Sequence, residues 1–180
     1  MEFMQTKIEG LYLIKPKIFE DSRGKFVKTF HAETFEAHGL KYNFKESYYS
    51  TSQKNVLRGM HFQTPPEDHE KMVYVSRGAI LDVVVDIRKS SPTYGEHISQ
   101  KLTEDNGYIF YIPKGCAHGF LSLEDNTNVT YMQTSMYAPN NDGGIHPHSL
   151  GFDWGVDDII VSDRDLTFPN LSEFSTPFIG

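Results

Sequence analysis

From Val56 onward the chain runs in short apolar segments, each closed by glycine, proline or a cluster of small polar residues. The segments are Val56 to Gln63, Lys71 to Ser76, Ile80 to Ile87, His97 to Leu102, Tyr108 to Ile112, Gly119 to Leu123 and Val129 to Met136. Between them lie Thr64-Pro65-Pro66, Arg77-Gly78, Ser90-Ser91-Pro92, Glu104-Asp105-Asn106-Gly107, Pro113-Lys114-Gly115 and Glu124-Asp125-Asn126. Short strands at near-regular spacing, with turn chemistry between them, predict an antiparallel sandwich or jelly-roll barrel. The first part of the chain is less regular. Ile8 to Phe19 alternates well enough for one strand, which Pro16 confines to an edge or a strand start. Asp21-Ser22-Arg23-Gly24 reads as a turn, Phe26 to Phe30 as a strand, Ala32 to His38 as a short helix stopped by Gly39, and Phe44 to Thr51 as a further strand. After Tyr137 the pattern fades into a polar stretch, with Ser162-Asp163-Arg164-Asp165 as a turn before a proline-bearing tail. Nothing resembles a linker, so residues 1–180 are read as one all-β domain with a few short helices.

One segment departs from ordinary strand composition. Asn55-Val56-Leu57-Arg58-Gly59-Met60-His61-Phe62-Gln63, answered by Glu70-Lys71-Met72-Val73, carries a guanidinium, an imidazole and an ammonium. Strict alternation puts Arg58, Met60 and Phe62 on one face and Gly59, His61 and Gln63 on the other. For Arg58 and His61 to serve one pocket, a bulge near Gly59 or a reach around the strand end is expected.

Composition narrows the function classes. At 180 residues the chain is long enough for a sizeable core, and a 13% aromatic share favours strands and flat pockets. A net charge of -7 excludes a general nucleic-acid binder, because the phosphate backbone rewards a basic surface. A local cationic pocket in an acidic chain suits a small anionic ligand instead. A lone cysteine, Cys116, fits a reducing compartment. Residues Met1 to Lys7 show no apolar leader, and no run approaches the roughly 20 apolar residues of a membrane span, so a cytoplasmic protein is expected.

With eight histidines, a metal has to be weighed. A barrel metal site built on two histidines one residue apart would begin at His61 and position 63, and position 63 is Gln. His61, His69 and His118 alone lack productive ligand spacing, so neither a metal nor a cofactor is expected. His146 and His148, flanking Pro147, fit an exposed polar loop. His61 by itself fits a satisfied core histidine as well as a functional one. Its company favours function: Arg58, Lys71, Tyr131, Tyr137 and Asp165 fall at strand positions or ends, where a barrel gathers distant side chains into its mouth. Asp165 fits a turn residue bonding its own backbone equally well.

Several blocks together resemble the dTDP-4-dehydrorhamnose 3,5-epimerase family. They are the Asp21-Ser22-Arg23-Gly24 turn, Asn55 to Gln63, Asp82-Val83-Val84-Val85-Asp86-Ile87-Arg88-Lys89-Ser90-Ser91-Pro92-Thr93-Tyr94-Gly95, Ile112-Pro113-Lys114-Gly115-Cys116-Ala117-His118-Gly119-Phe120, and Tyr131 with Tyr137. The resemblance runs from about residue 10 to 170 in unbroken order. It implies a metal-free cupin jelly roll, a homodimer in which an N-terminal strand segment crosses to the partner subunit, and a nucleotide-linked 4-keto-6-deoxy sugar as substrate.

Such a substrate sets the chemistry. The 4-keto group acidifies the hydrogens at C3 and C5, so a base removes one, the enolate is held, and an acid returns a proton from the opposite face. The resemblance assigns His61 as base, Asp165 as the carboxylate fixing its tautomer, Lys71 as the group neutralising the C4 oxyanion, and Tyr131 as acid. It assigns Arg58 to the diphosphate and Arg23 and Arg164 to other nucleotide contacts, Arg23 by reaching into the neighbouring subunit. Gln63, His118, Tyr137 and Asp142 are placed with the substrate-binding residues. Lys28 and Glu46 stand where the family commonly has Glu and Gln, at the base-binding end. An ionised Glu46 only accepts hydrogen bonds, which points to a donor-rich base such as cytosine or guanine rather than thymine. Gly144-Ile145-His146-Pro147-His148-Ser149 also departs from the family pattern near the sugar, leaving open which carbon is inverted. Rival expectations are a 3,4-ketoisomerase of the same fold, a non-catalytic sugar-nucleotide-binding cupin and a metal-dependent cupin dioxygenase.

Overall fold

The computed structural model describes residues 1–179. Its strands are β1 (Glu2–Gln5), β2 (Tyr12–Lys15), β3 (Ile18–Asp21), β4 (Gly24–Val27), β5 (Glu46–Ser52), β6 (Val56–Gln63), β7 (Lys71–Arg77), β8 (Ala79–Asp86), β9 (His97–Thr103), β10 (Ile109–Ile112), β11 (Cys116–Ser122), β12 (Thr127–Gln133), β13 (Asp142–Gly144) and β14 (Ile160–Val161). Two short helices, α1 (Ala32–Ala37) and α2 (Asp163–Leu166), and a 3-10 turn at Pro147–Leu150 complete it. One sheet runs β1-β2-β10-β7-β12-β5 and a second β13-β6-β11-β8-β9, with β14 added parallel to β6 and every other pairing antiparallel. Strands β3 and β4 form a separate hairpin.

The two sheets face each other, as a jelly roll requires. Val73, Val75, Phe110, Ile112, Val129 and Tyr131 from the first sheet meet Ile80, Val84, Cys116 and Phe120 from the second in one core. The outer faces are covered as well. Phe35 of α1 closes Ile14, Met72, Ile109 and Tyr111, while Trp154, Leu150 and Phe178 of the C-terminal stretch close Leu57, Met60, Phe62 and Val83. Strands coated on both faces read as continuous apolar runs, which is why β8 and β11 carry so little alternation.

Sequence and structure differ mainly at the ends. The strand expected over Ile8 to Phe19 is two, β2 and β3, separated around Pro16, whose missing N–H ends ladder pairing. The strand expected over Phe26 to Phe30 begins and ends earlier, and Phe30 packs on Phe35 at 5.0 Å instead. Ser162 to Asp165 is one helical turn rather than a plain turn: the Ser162 hydroxyl accepts from Asp165 N at 3.1 Å as an N-cap.

The expected irregularity in β6 is present. The register against β11 pairs His61 with His118 and Arg58 with Phe120, so two residues of β6 oppose Gly119 alone. Leu57, Met60 and Phe62 therefore share the outer core, and Arg58 and His61 turn inward together. Gly59 makes this possible. At φ +124° a side chain is disfavoured, and a Cβ would lie 2.5 Å from Gly119 Cα and 2.8 Å from His118 O. Gly59→Ala is expected to destabilise the fold by about 3 kcal/mol, lowering the thermal midpoint by about 10 °C, read by calorimetry. An unchanged midpoint would show that the strands can part here without loss.

Candidate active site

The inward faces of the two sheets enclose a cleft with two communicating compartments. The deeper, about 200 Å³, is lined by Tyr48, Ser50, Arg58, His61, Lys71, His118, Phe120 and Tyr131. The outer, about 400 Å³, shares Tyr48, His61 and Lys71 and adds Glu46, Gln63, His69, Gln133, Tyr137, Asp142 and Arg164. Stacked sheets lie roughly 10 Å apart, which leaves room for a sugar ring between side chains of opposite sheets. His61 stands on the second sheet, and Lys71, Tyr131 and Tyr48 stand on the first.

Helix α2 brings Asp165 to His61. His61 Nε2 bonds Asp165 Oδ1 at 2.7 Å, and Gly59 N donates to Asp165 Oδ2 at 3.1 Å. A carboxylate only accepts, so the Nε2 proton belongs to this bond and Nδ1 keeps a free lone pair. Burial works to raise the Asp165 carboxyl; the bond and charge of His61, the Gly59 amide and Arg164 outweigh it and hold it below the usual carboxylate range.

Lys71 begins β7 with only 7% exposure, opposite Gln133 in register. Burial pushes its ammonium down to about 8, and the nearby charges of Asp142 and Asp82 keep it from falling further. Tyr131 is buried between two rings, with Tyr48 stacked at 4.8 Å and His118 edge-on at 6.2 Å. Its burial raises the phenol, which therefore stays protonated at neutral pH. Arg58 is tethered to β5, donating from Nε to Ser52 Oγ at 3.0 Å and from Nη2 to Thr51 O at 3.3 Å, with its remaining donors at the deep compartment.

The other expected residues divide. His118 lines the deep compartment and its Nε2 donates to Asp82 Oδ2 at 2.9 Å. Arg164 Nη2 donates to Asp142 Oδ2 at 2.6 Å, and the Tyr137 hydroxyl donates to the same oxygen at 3.3 Å, at the rim. Glu46 also lies there, its carboxylate accepting from Tyr137 N at 2.6 Å. Gln63 touches the cleft, yet its amide is occupied: Nε2 donates to Glu67 O at 2.7 Å, and Oε1 accepts from Ala138 N at 2.8 Å, clamping two loops together. Arg23 and Lys28 are not brought to this cleft. Arg23 pairs with Asp21 at 2.6 Å on the exposed hairpin, and Lys28 lies in a separate surface hollow with Lys17, Phe19 and His31.

Tyr48 and Ser50 in the cleft wall, and Asp82 behind His118, carry no role in the sequence analysis, and His69 stands there only as a metal-ligand candidate. Tyr48 and Ser50 share a β5 face with Glu46, so period-2 alternation from Glu46 would have reached them. Asp82 is a carboxylate inside the apolar run of β8, itself a sign of a buried partner. His69 precedes β7 in a loop, where no periodicity marks it; burial and the Lys71 charge push it down to about 3, so it is neutral.

A jelly roll with a His–carboxylate pair facing a lysine and a phenol across one cleft belongs to the nucleotide-sugar epimerases, isomerases of the cupin fold. The model of the dTDP-4-dehydrorhamnose 3,5-epimerase family matches residues 5–173, and the chain belongs to that family. It is 42% identical over 176 residues, 95% of each chain, to the dTDP-4-dehydrorhamnose 3,5-epimerase of Methanothermobacter thermautotrophicus. The structure of the Legionella pneumophila dTDP-6-deoxy-D-glucose-3,5-epimerase in complex with dTDP-4-keto-L-rhamnose superposes with a TM-score of 0.92 at 36% identity, covering 97% of this chain and 94% of that one. A 3'-monoepimerase from Streptomyces bikiniensis in complex with dTDP-quinovose superposes with a TM-score of 0.87 at 34% identity, covering 93% and 86%. Among the described residues no helix is long and apolar enough to cross a membrane.

Proposed function

We propose that this chain inverts C3, C5 or both in a dTDP-linked 4-keto-6-deoxy sugar, with His61 Nδ1 taking the proton, Lys71 holding the C4 oxyanion, and Tyr131 returning a proton from the other side. The observation that carries this is the pairing of His61 with Asp165 at 2.7 Å in a cleft whose opposite wall presents Lys71 and Tyr131. Base and acid come from different sheets, so a sugar ring between them meets one on each face, as inversion demands. Asp165 stabilises the imidazolium once the proton has moved. Arg58 takes the diphosphate, its forked donors suiting phosphate oxygens.

A second copy of the chain completes the nucleotide end. Hairpin β3–β4 projects with Phe19 51% and Phe26 61% exposed and with Arg23 near its tip, and these groups cover a neighbour's cleft rather than their own. Lys28 adds a cation beside the same hairpin. For the base, the relatives' dTDP ligands outweigh the expectation drawn from Glu46, whose carboxylate is already engaged by the Tyr137 amide. Competition among dTDP, CDP and GDP tests that assignment; tighter binding of CDP or GDP reverses it.

The reaction is tested by incubation with dTDP-4-keto-6-deoxyglucose in D2O, following C3 and C5 by NMR. Deuterium with inversion at one or both carbons is expected. Exchange at neither carbon, or migration of the carbonyl, removes the epimerase assignment.

A further inference from the structure

An enzyme that inverts two carbons must deliver two protons from the face opposite His61, one at C3 and one at C5. A single phenol doing both would have to be reloaded between the two inversions. The structure holds a second phenol in the same wall. Tyr48 on β5 is the direct register partner of Tyr131 on β12, so the two side chains leave the same face of the same sheet. Their rings stack with centroids 4.8 Å apart and planes 18° apart. Tyr48 borders both compartments together with His61 and Lys71, so a sugar in reach of those two groups is in reach of Tyr48. The remaining phenol of the cleft, Tyr137, is committed to Asp142 at the rim.

We propose that Tyr48 is a second proton donor, serving one of the two carbons that flank the carbonyl while Tyr131 serves the other. The assignment rests on the epimerase chemistry above. At either carbon the C–H proton passes to His61 Nδ1, the C–H pair becomes the enolate double bond, and the negative oxygen at C4 faces Lys71. On return the enolate pair forms a new C–H bond with the phenolic proton, the O–H pair stays on the phenolate, and C4 regains its carbonyl. Water then reprotonates the phenolate and takes the proton from His61, so no further reactant is needed. Tyr48 is 42% exposed at the cleft, and its partial burial with Glu46 and Asp142 nearby raises the phenol, so it enters each turnover protonated.

The test is Tyr48→Phe, which keeps the stack and removes the hydroxyl, beside Tyr131→Phe, with inversion and deuterium incorporation followed separately at C3 and C5. Tyr48→Phe should slow one carbon by about 100-fold or more and leave the other near the wild-type rate, so that a singly inverted sugar accumulates. Tyr131→Phe should show the opposite selectivity. Tyr48→His, which retains a ring and a donor, should restore part of the lost rate. Equal loss at both carbons, or loss at neither, overturns the proposal, as does a wild-type enzyme that inverts a single carbon. A wild-type enzyme that exchanges neither carbon fails the epimerase assignment itself, a result distinct from wild-type double inversion unaffected by Tyr48→Phe. Thermal midpoints matching wild type show that the fold is intact in each variant.

Discussion

His61→Asn is expected to stop deuterium incorporation at both C3 and C5, by about 1,000-fold or more, while dTDP binds as tightly as before. The loss must be symmetrical because one imidazole stands against the second sheet and both acidic hydrogens have to come to it. The binding must persist because the diphosphate grip, Arg58, is anchored to Ser52 and Thr51 rather than to His61. Asn is the right replacement for a physical reason. It removes the basic nitrogen in a smaller polar side chain, while Asp165 keeps the Gly59 amide, so the buried carboxylate is not left bare. A His61→Asn enzyme retaining a tenth of the wild-type exchange rate at either carbon would remove His61 as the base there.

How much of this site could be read from residues alone depends on what each residue's position encodes. The strands from β6 to β12 were legible because both sheet faces are packed and turns punctuate them, so apolar runs and glycines carried the information. Alternation also conflicts with a shared pocket for Arg58 and His61, which calls for a bulge near Gly59 or a reach around the strand end, and the register against β11 selects the bulge. The short strands β1, β13 and β14 were not foreseen, because two to four residues carry no period. Asp165 illustrates the limit for function. Ser-Asp-Arg-Asp is turn or helix-cap chemistry locally, and only the tertiary fold shows that α2 delivers one of its carboxylates to an imidazole 104 positions away in sequence. The family resemblance supplied that pairing; spacing did not. Tyr48 is the opposite case: alternation from Glu46 places it on the cleft face, but an aromatic on a strand ordinarily signals packing, so its residue type hides its role.

Lys71→Met is expected to lower kcat by about 100- to 1,000-fold with a much smaller change in KM, because the ammonium acts on charge that exists on C4 only after the proton has left. The fold should tolerate the change. Met matches the length of the lysine stem, and replacing a nearly buried ammonium removes a desolvation cost. The pH dependence separates an electrostatic role from a packing one. Lys71 is charged below its lowered value of about 8 and neutral above it, so wild-type kcat falls as pH rises through that region. The phenols in the same walls titrate far higher, Tyr48 at about 12 and Tyr131 raised by deeper burial, so they add nothing to that limb. In Lys71→Met the alkaline limb near pH 8 should vanish, leaving a low rate that is flat there. A limb that survives in the variant belongs to another group, and Lys71 would then hold the cleft's shape rather than the enolate's charge.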